Sequence, residues 1–149
     1  NQGTQVLWQT GKRYLPEIQN WLEGKNLEGV VATDFISRMD LAYISADLIV
    51  SRAGAMSIAE LAIVGKPCIL VPSPNVSEDH QSKNALSMTD HGAAVLIKDT
   101  EVKETLGATV SQLIQDKTEY EKMSEAMKSL ARPQAAAAVV DEILDLLES

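Results

Sequence analysis

The sequence predicts an α/β fold with a parallel sheet and helices on both faces. Short β-like runs at residues 6–9, 29–33, 48–51, 68–71 and 93–97 alternate with helically spaced segments at 14–22, 38–46, 57–64 and 80–91. Such alternation carries each strand through a helix into a parallel neighbour. Gly65 and Gly92 each follow a helical segment, where a left-handed residue ends a helix and glycine suits it.

Taken in order, Asn1-Gln2-Gly3-Thr4 lead at once into the first run, an abrupt opening for a domain. That run ends in Gln9-Thr10-Gly11-Lys12, a turn bearing one cation. The second is followed by the apolar pair Phe35-Ile36 just before Arg38. This pair reads either as packing beneath a loop or as a flat surface for a base. The third, Leu48-Ile49-Val50, feeds Ser51 and Arg52 into Ala53-Gly54-Ala55, and a helical pattern begins at Ser57. Lys66 and Pro67 open the fourth, which breaks at Pro72-Ser73-Pro74 into a loop and a polar helix start near His80. Two adjacent strand ends thus bring polar groups to one sheet edge, where open α/β folds bind ligands. Beyond Ile97 the chain turns helical, at 102–114, 119–131 and 134–147. In the last segment Val139, Val140, Ile143, Leu144 and Leu147 form an apolar face among Asp141, Glu142 and Asp145. It is expected to pack on the sheet or a neighbouring domain, because a membrane-surface helix would carry cations on its polar side.

A length of 149 residues with 45% hydrophobic composition fits one domain, 1–149, with an ordinary core. The formal charge of −8 disfavours nucleic acid, whose phosphates call for clustered cations. Cys68 stands alone in an apolar strand, so it has no disulfide partner in the chain and reads as a buried thiol, compatible with a cytosolic setting. No basic leader precedes an apolar stretch, and no apolar run approaches the roughly 20 residues that span a bilayer. A soluble chain is expected.

Ser57 and Glu60 stand three apart at a helix start and admit two readings. One is a capping box satisfying backbone amides; the other is a carboxylate accepting hydrogen bonds from a sugar diol, with Ser57 and the helix amino end holding phosphate. Gly54 serves the turn alone or also allows a ligand close to the backbone. His80, Gln81 and Asn84 are a solvated surface or a polar site. Arg52 is a phosphate ligand or a structural ion pair. Asp79-His80 makes a weak dyad, since adjacent side chains seldom face each other. With two histidines and one cysteine, no spacing suggests a metal site.

In this order, QTGK at 9–12, DFI at 34–36, the stretch 45–72 and DHQSKNA at 79–85 closely resemble the carboxy-terminal domain of the MurG family of bacterial glycosyltransferases, glycosyltransferase family 28. The likeness is dense from Asp34 to Ala94. Its most restrictive part is RAGA-x-S/T-x-x-E followed by HQ-x-x-NA. The resemblance implies the C-terminal half of a GT-B fold: a Rossmann-like domain that binds UDP-N-acetylglucosamine while an amino-terminal domain binds the lipid-linked muramyl-pentapeptide acceptor. By position, it implies that Ile36 contacts uracil with Phe35 beside it and that Glu60 holds the ribose hydroxyls. Gly54, Ala55, Met56 and Ser57 would line the diphosphate and sugar, Ser57 standing where the family often has Thr. His80 and Gln81 would orient the N-acetylglucosamine, and Asn84 would support their loop. It implies no metal or other cofactor and no catalytic residue within this chain, the base lying in the amino-terminal domain. It also places the full-length protein on the cytoplasmic face of the membrane.

The family's GGS-x-GA loop and the strand before it are absent, so the chain is expected to be truncated and inactive alone. The missing strand would lie between the runs at Val6 and Leu48, leaving unpaired edges. A partner chain, a swapped segment or a rearranged pairing is expected to fill the gap, with homo-oligomerisation one route. Two other functions fit these residues: a non-catalytic nucleotide-sugar-binding subunit that needs a separate acceptor partner, and a UDP-N-acetylglucosamine hydrolase or epimerase of the same fold.

Overall fold

The computed structural model describes residues 3–25, 27–74 and 79–148. Asn1-Gln2 and the loop expected between Pro74 and Asp79, at 75–78, lie outside them. By its internal contacts the chain divides into two compact units, Asn1–Ala46 and Asp47–Ser149.

The first unit holds β1 (Val6–Gln9), α1 (Leu15–Glu23), β2 (Val30–Thr33) and α2 (Met39–Ser45). β1 and β2 pair in parallel, Val6 opposite Val30 and Gln9 opposite Thr33. Pro16 sits in the first turn of α1, where its missing N–H costs no hydrogen bond. Leu15, Ile18 and Leu22 fall on the half-buried face of that helix, while Trp21 stays exposed beneath Lys25, whose ammonium lies 4.3 Å from the ring centroid. Among its described residues none is fully buried, and Val6, Leu7, Trp8 and Val31 are exposed. A two-stranded sheet has too little area to close a core.

The second unit contains β3 (Ile49–Ser51), α3 (Ala55–Val64), β4 (Cys68–Leu70), α4 (His80–Asp90), β5 (Ala94–Leu96), a short 3-10 turn at Asp99–Glu101, α5 (Val102–Gln115), α6 (Lys117–Ser129) and α7 (Ala135–Glu148). The sheet order is β3-β4-β5, all parallel, with Ser51 opposite Leu70 and Leu70 opposite Leu96. β4 is central and its residues are wholly buried, as the unbroken apolar run of an inner parallel strand requires. α3 and α4 touch each other, as expected where right-handed crossovers put both on one face of the sheet. On the other, Ile69, Val71 and Ile97 pack with Leu113 of α5 and Met123 of α6.

The expected single sheet is instead two parallel sheets, β1-β2 and β3-β4-β5. Among the described residues β1 pairs only with β2 and β3 only with β4, so no rearranged pairing closes the edges between which the missing strand was expected. Of the two places expected for the apolar face of α7, the sheet is excluded, since Val139, Val140, Ile143, Leu144 and Leu147 are all more than half exposed. Gly65 (φ +66) and Gly92 (φ +68) do adopt the left-handed conformation expected after α3 and α4. No helix among the described residues is long and apolar enough to cross a membrane.

Candidate functional site

Parallel pairing places the exits of β3 and β4 side by side at the carboxyl edge of their sheet. From β3 the chain passes Arg52, Ala53 and Gly54 into α3, with Gly54 as N-cap. No side chain caps α3, so the first-turn amides have no side-chain acceptor of that kind. Ser57 is the third helical residue rather than the residue before the helix, and the capping box is therefore not formed. Glu60 lies one turn on, exposed, on the same side of the helix as Met56 and Ser57. Met56 is 77% exposed, Ala55 is exposed, and Gly54 and Ser57 are half-buried.

β4 leads through Val71 and Pro72 to Ser73, and α4 begins at His80 behind Asp79, a non-glycine residue with φ +55. Aspartate tolerates this conformation better than most residues. The Gln81 Oε1 accepts from the Ser73 backbone N–H at 2.8 Å. The Asn84 Nδ2 donates to the Ala53 carbonyl at 3.1 Å. Hence α4 is fastened to both strand exits by two of the predicted side chains, and the bare-surface reading of Gln81 and Asn84 gives way to a built edge. His80 is exposed at the start of α4.

Arg52 resolves as a structural ion pair. Its Nη1 lies 2.5 Å from Asp99 Oδ1 and also donates to the carbonyls of Val71 and Pro72, each at 3.3 Å. Asp99 was not singled out from the sequence. The available signal was its place just after the last β-like run, which the strand order carries to the same edge as Arg52.

In the first unit, Phe35 and Ile36 follow β2. The Ile36 backbone N–H donates to Gln9 Oε1 at 2.8 Å, and Thr10 Oγ1 donates to the Thr33 carbonyl at 3.1 Å, so the β1 turn and the β2 exit are joined. Phe35 is 66% exposed and does not pack beneath a loop, whereas Ile36 is half-buried. An open groove of about 470 Å³ in this unit, bordered by Leu22, Glu23, Lys25 and Leu27, includes none of the candidate residues. The candidates thus gather in two sets: Phe35 and Ile36 on the first unit, Gly54 to Glu60 with His80, Gln81 and Asn84 on the second.

Cys68 is fully buried in β4, and desolvation pushes its thiol up to about 12, so it is no nucleophile at neutral pH. Among the described residues no group of three His, Cys, Asp or Glu side chains converges as a metal site would.

The glycosyltransferase family 28 C-terminal domain matches residues 1–139. This chain belongs to that family. Relatives from Porphyromonas gingivalis and Cytophaga hutchinsonii are 51% identical over 146 residues and 46% identical over 149. Each is named a UDP-N-acetylglucosamine–N-acetylmuramyl-(pentapeptide) pyrophosphoryl-undecaprenol N-acetylglucosamine transferase. The matches cover 98% and 100% of this family 28 chain but 38% and 39% of the relatives, so it spans about two fifths of their length. The crystal structure of Acinetobacter baumannii MurG superposes with a TM-score of 0.82 at 28% identity, over 95% of this chain and 41% of that one. The family 28 fold expected from the sequence, the C-terminal half of MurG, is therefore the fold found.

Proposed function

We propose that this chain is the donor-binding domain of an inverting glycosyltransferase that moves N-acetylglucosamine from UDP-N-acetylglucosamine to a lipid-linked N-acetylmuramyl-pentapeptide in peptidoglycan synthesis. The observation that carries the reading is the edge on which α3 begins without a side-chain cap beside Glu60, in a chain about half identical to named transferases.

In this reading the first-turn amides of α3, from Ala55 to Ser57, face the diphosphate. A helix amino end offers N–H groups and a positive dipole to an anion. As the sugar leaves, negative charge grows on the diphosphate, and fixed amides stabilise it without reorganising. No cofactor is required. Glu60, one turn further, accepts hydrogen bonds from the ribose hydroxyls. Ile36, with Phe35 beside it, meets the uracil face, and His80 and Gln81 orient the N-acetylglucosamine on the loop Asn84 supports. The acceptor site and the base that deprotonates the acceptor hydroxyl belong to the part of the relatives this chain does not cover. The full-length protein then works at the cytoplasmic face of the membrane, where its lipid-linked acceptor is held.

Calorimetric titration of the full-length protein tests the reading. UDP-N-acetylglucosamine is expected to bind saturably and more tightly than UDP-glucose. Glu60→Ala is expected to weaken donor binding about tenfold or more, equivalent to about 1.4 kcal/mol, with turnover at saturating donor largely kept. Absence of donor binding overturns the proposal. Loss of turnover with donor affinity intact would make Glu60 an acid or base and favour hydrolase or epimerase chemistry.

A further inference from the structure

We infer that Arg52 is a positioning residue that sets sugar recognition at this edge without touching the donor. The inference rests on the donor-binding reading above and concerns how its sugar half is held. Arg52 leaves β3, the carbonyls it binds leave β4, and the carboxylate it binds follows β5, so one guanidinium ties three successive strand exits. The tie continues into α4. Beyond Val71 and Pro72 comes Ser73, whose N–H is held by Gln81 Oε1, and Asn84 returns from α4 to Ala53, the residue next to Arg52. The contacts form a closed ring through Arg52, the β4 exit, Gln81, Asn84 and Ala53.

Two consequences follow from the chemistry of the ring. Because Arg52 Nη1 is engaged by two carbonyls and a carboxylate, the guanidinium is held as a strut of this edge. Because Gln81 spends its oxygen on Ser73, its NH2 group is the part left to address a sugar oxygen, and its height depends on where the loop lies. Removing the strut loosens the Pro72–Ser73 end of the segment, Val71 staying held by the Ser51 carbonyl and by packing on Ile97, and Gln81 shifts with Ser73. The α3 amides, by contrast, belong to a helix seated by its buried residues Leu61 and Ala62. Lysine keeps the cation but places it as a point charge on a more flexible stem, so it restores the tie only in part. The Arg52–Asp99 pair is partly exposed, its side chains 54% and 36% accessible, a setting in which ion pairs add little to stability. Its loss is therefore readable in recognition instead of unfolding.

The test uses the full-length protein and its Arg52→Gln, Arg52→Lys and Asp99→Asn variants, titrated with UDP, UDP-glucose and UDP-N-acetylglucosamine, with Tm recorded for each. Arg52→Gln is expected to keep UDP affinity within about twofold while the preference for UDP-N-acetylglucosamine over UDP-glucose falls about tenfold. Arg52→Lys should recover part of that preference, and Asp99→Asn should lose a smaller part with Tm unchanged. Unchanged preference in both Arg52→Gln and Asp99→Asn overturns the inference. So does an equal weakening for all three ligands alongside a lowered Tm, which marks a merely structural role. Failure of the unsubstituted protein to bind UDP defeats the donor-binding reading itself and the inference with it, a result distinct from binding that the variants leave untouched.

Discussion

Gly54 separates demands of backbone from demands of ligand at the scale of one residue. Its φ of −68° and ψ of 147° suit any amino acid, and a Cβ built there would meet only Ser57 Oγ, at 3.6 Å. The turn does not need glycine. A methyl group would stand in the space in front of the α3 amides, so Gly54→Ala is expected to change unfolding free energy by less than about 1 kcal/mol while weakening UDP-N-acetylglucosamine. Thermal denaturation and calorimetry check the two halves, and unaltered donor affinity would remove the α3 amino end from the diphosphate site. The same stretch shows where sequence reading slips. Ser57 and Glu60 have capping-box spacing, yet the helix starts two residues earlier because the extended Gly54 already ends the turn. A side-chain cap of this kind does occur at Asp116, whose Oδ1 accepts from the Glu119 N–H at 3.0 Å. Spacing alone could not distinguish the two, because a cap depends on which residue first leaves helical geometry.

Among the elements, α3 and α6 meet at a point the sequence only half disclosed. Gly65 was legible as a helix terminator, but its second role depends on a distant helix: a Cβ there would collide with Lys128 Cγ, and Ser124 Oγ donates to the Gly65 carbonyl at 2.6 Å. Gly65→Ala therefore combines left-handed strain with displacement of the Lys128 stem. A loss of about 1–3 kcal/mol is expected in urea denaturation, and a neutral result would show that Lys128 yields freely. Strand positions were legible because parallel inner strands are continuous apolar runs, and β4 is the clearest of them. The environment of α7 was not. Its periodicity reveals an apolar face, but periodicity carries no information about what lies opposite, and here that face is exposed.

Across the whole molecule, burial is unevenly shared. Every fully buried residue among those described belongs to the unit of β3, β4 and β5, while β1 and β2 pair over a surface that retains solvent on Val6, Leu7 and Trp8. Opening free energy follows such differences. Amide hydrogen exchange is expected to be slowest at Cys68–Leu70 and faster throughout β1 and β2, and uniform protection would contradict this division of stability. The division into two sheets follows from the resemblance, whose strand order puts β1 and β3 on either side of a strand not present among those described. Unpaired edges were expected with it; that no rearranged pairing among the described strands closes them was not legible, because pairing is decided by geometry across the fold. One further property attaches to the central strand. The chain's sole thiol lies walled in at its start, uncharged and without access, so a thiol-directed oxidant or alkylating agent has to wait until β4 itself parts from its neighbours. Chemical damage at that atom is thereby subordinated to the rate at which this half of the protein comes undone.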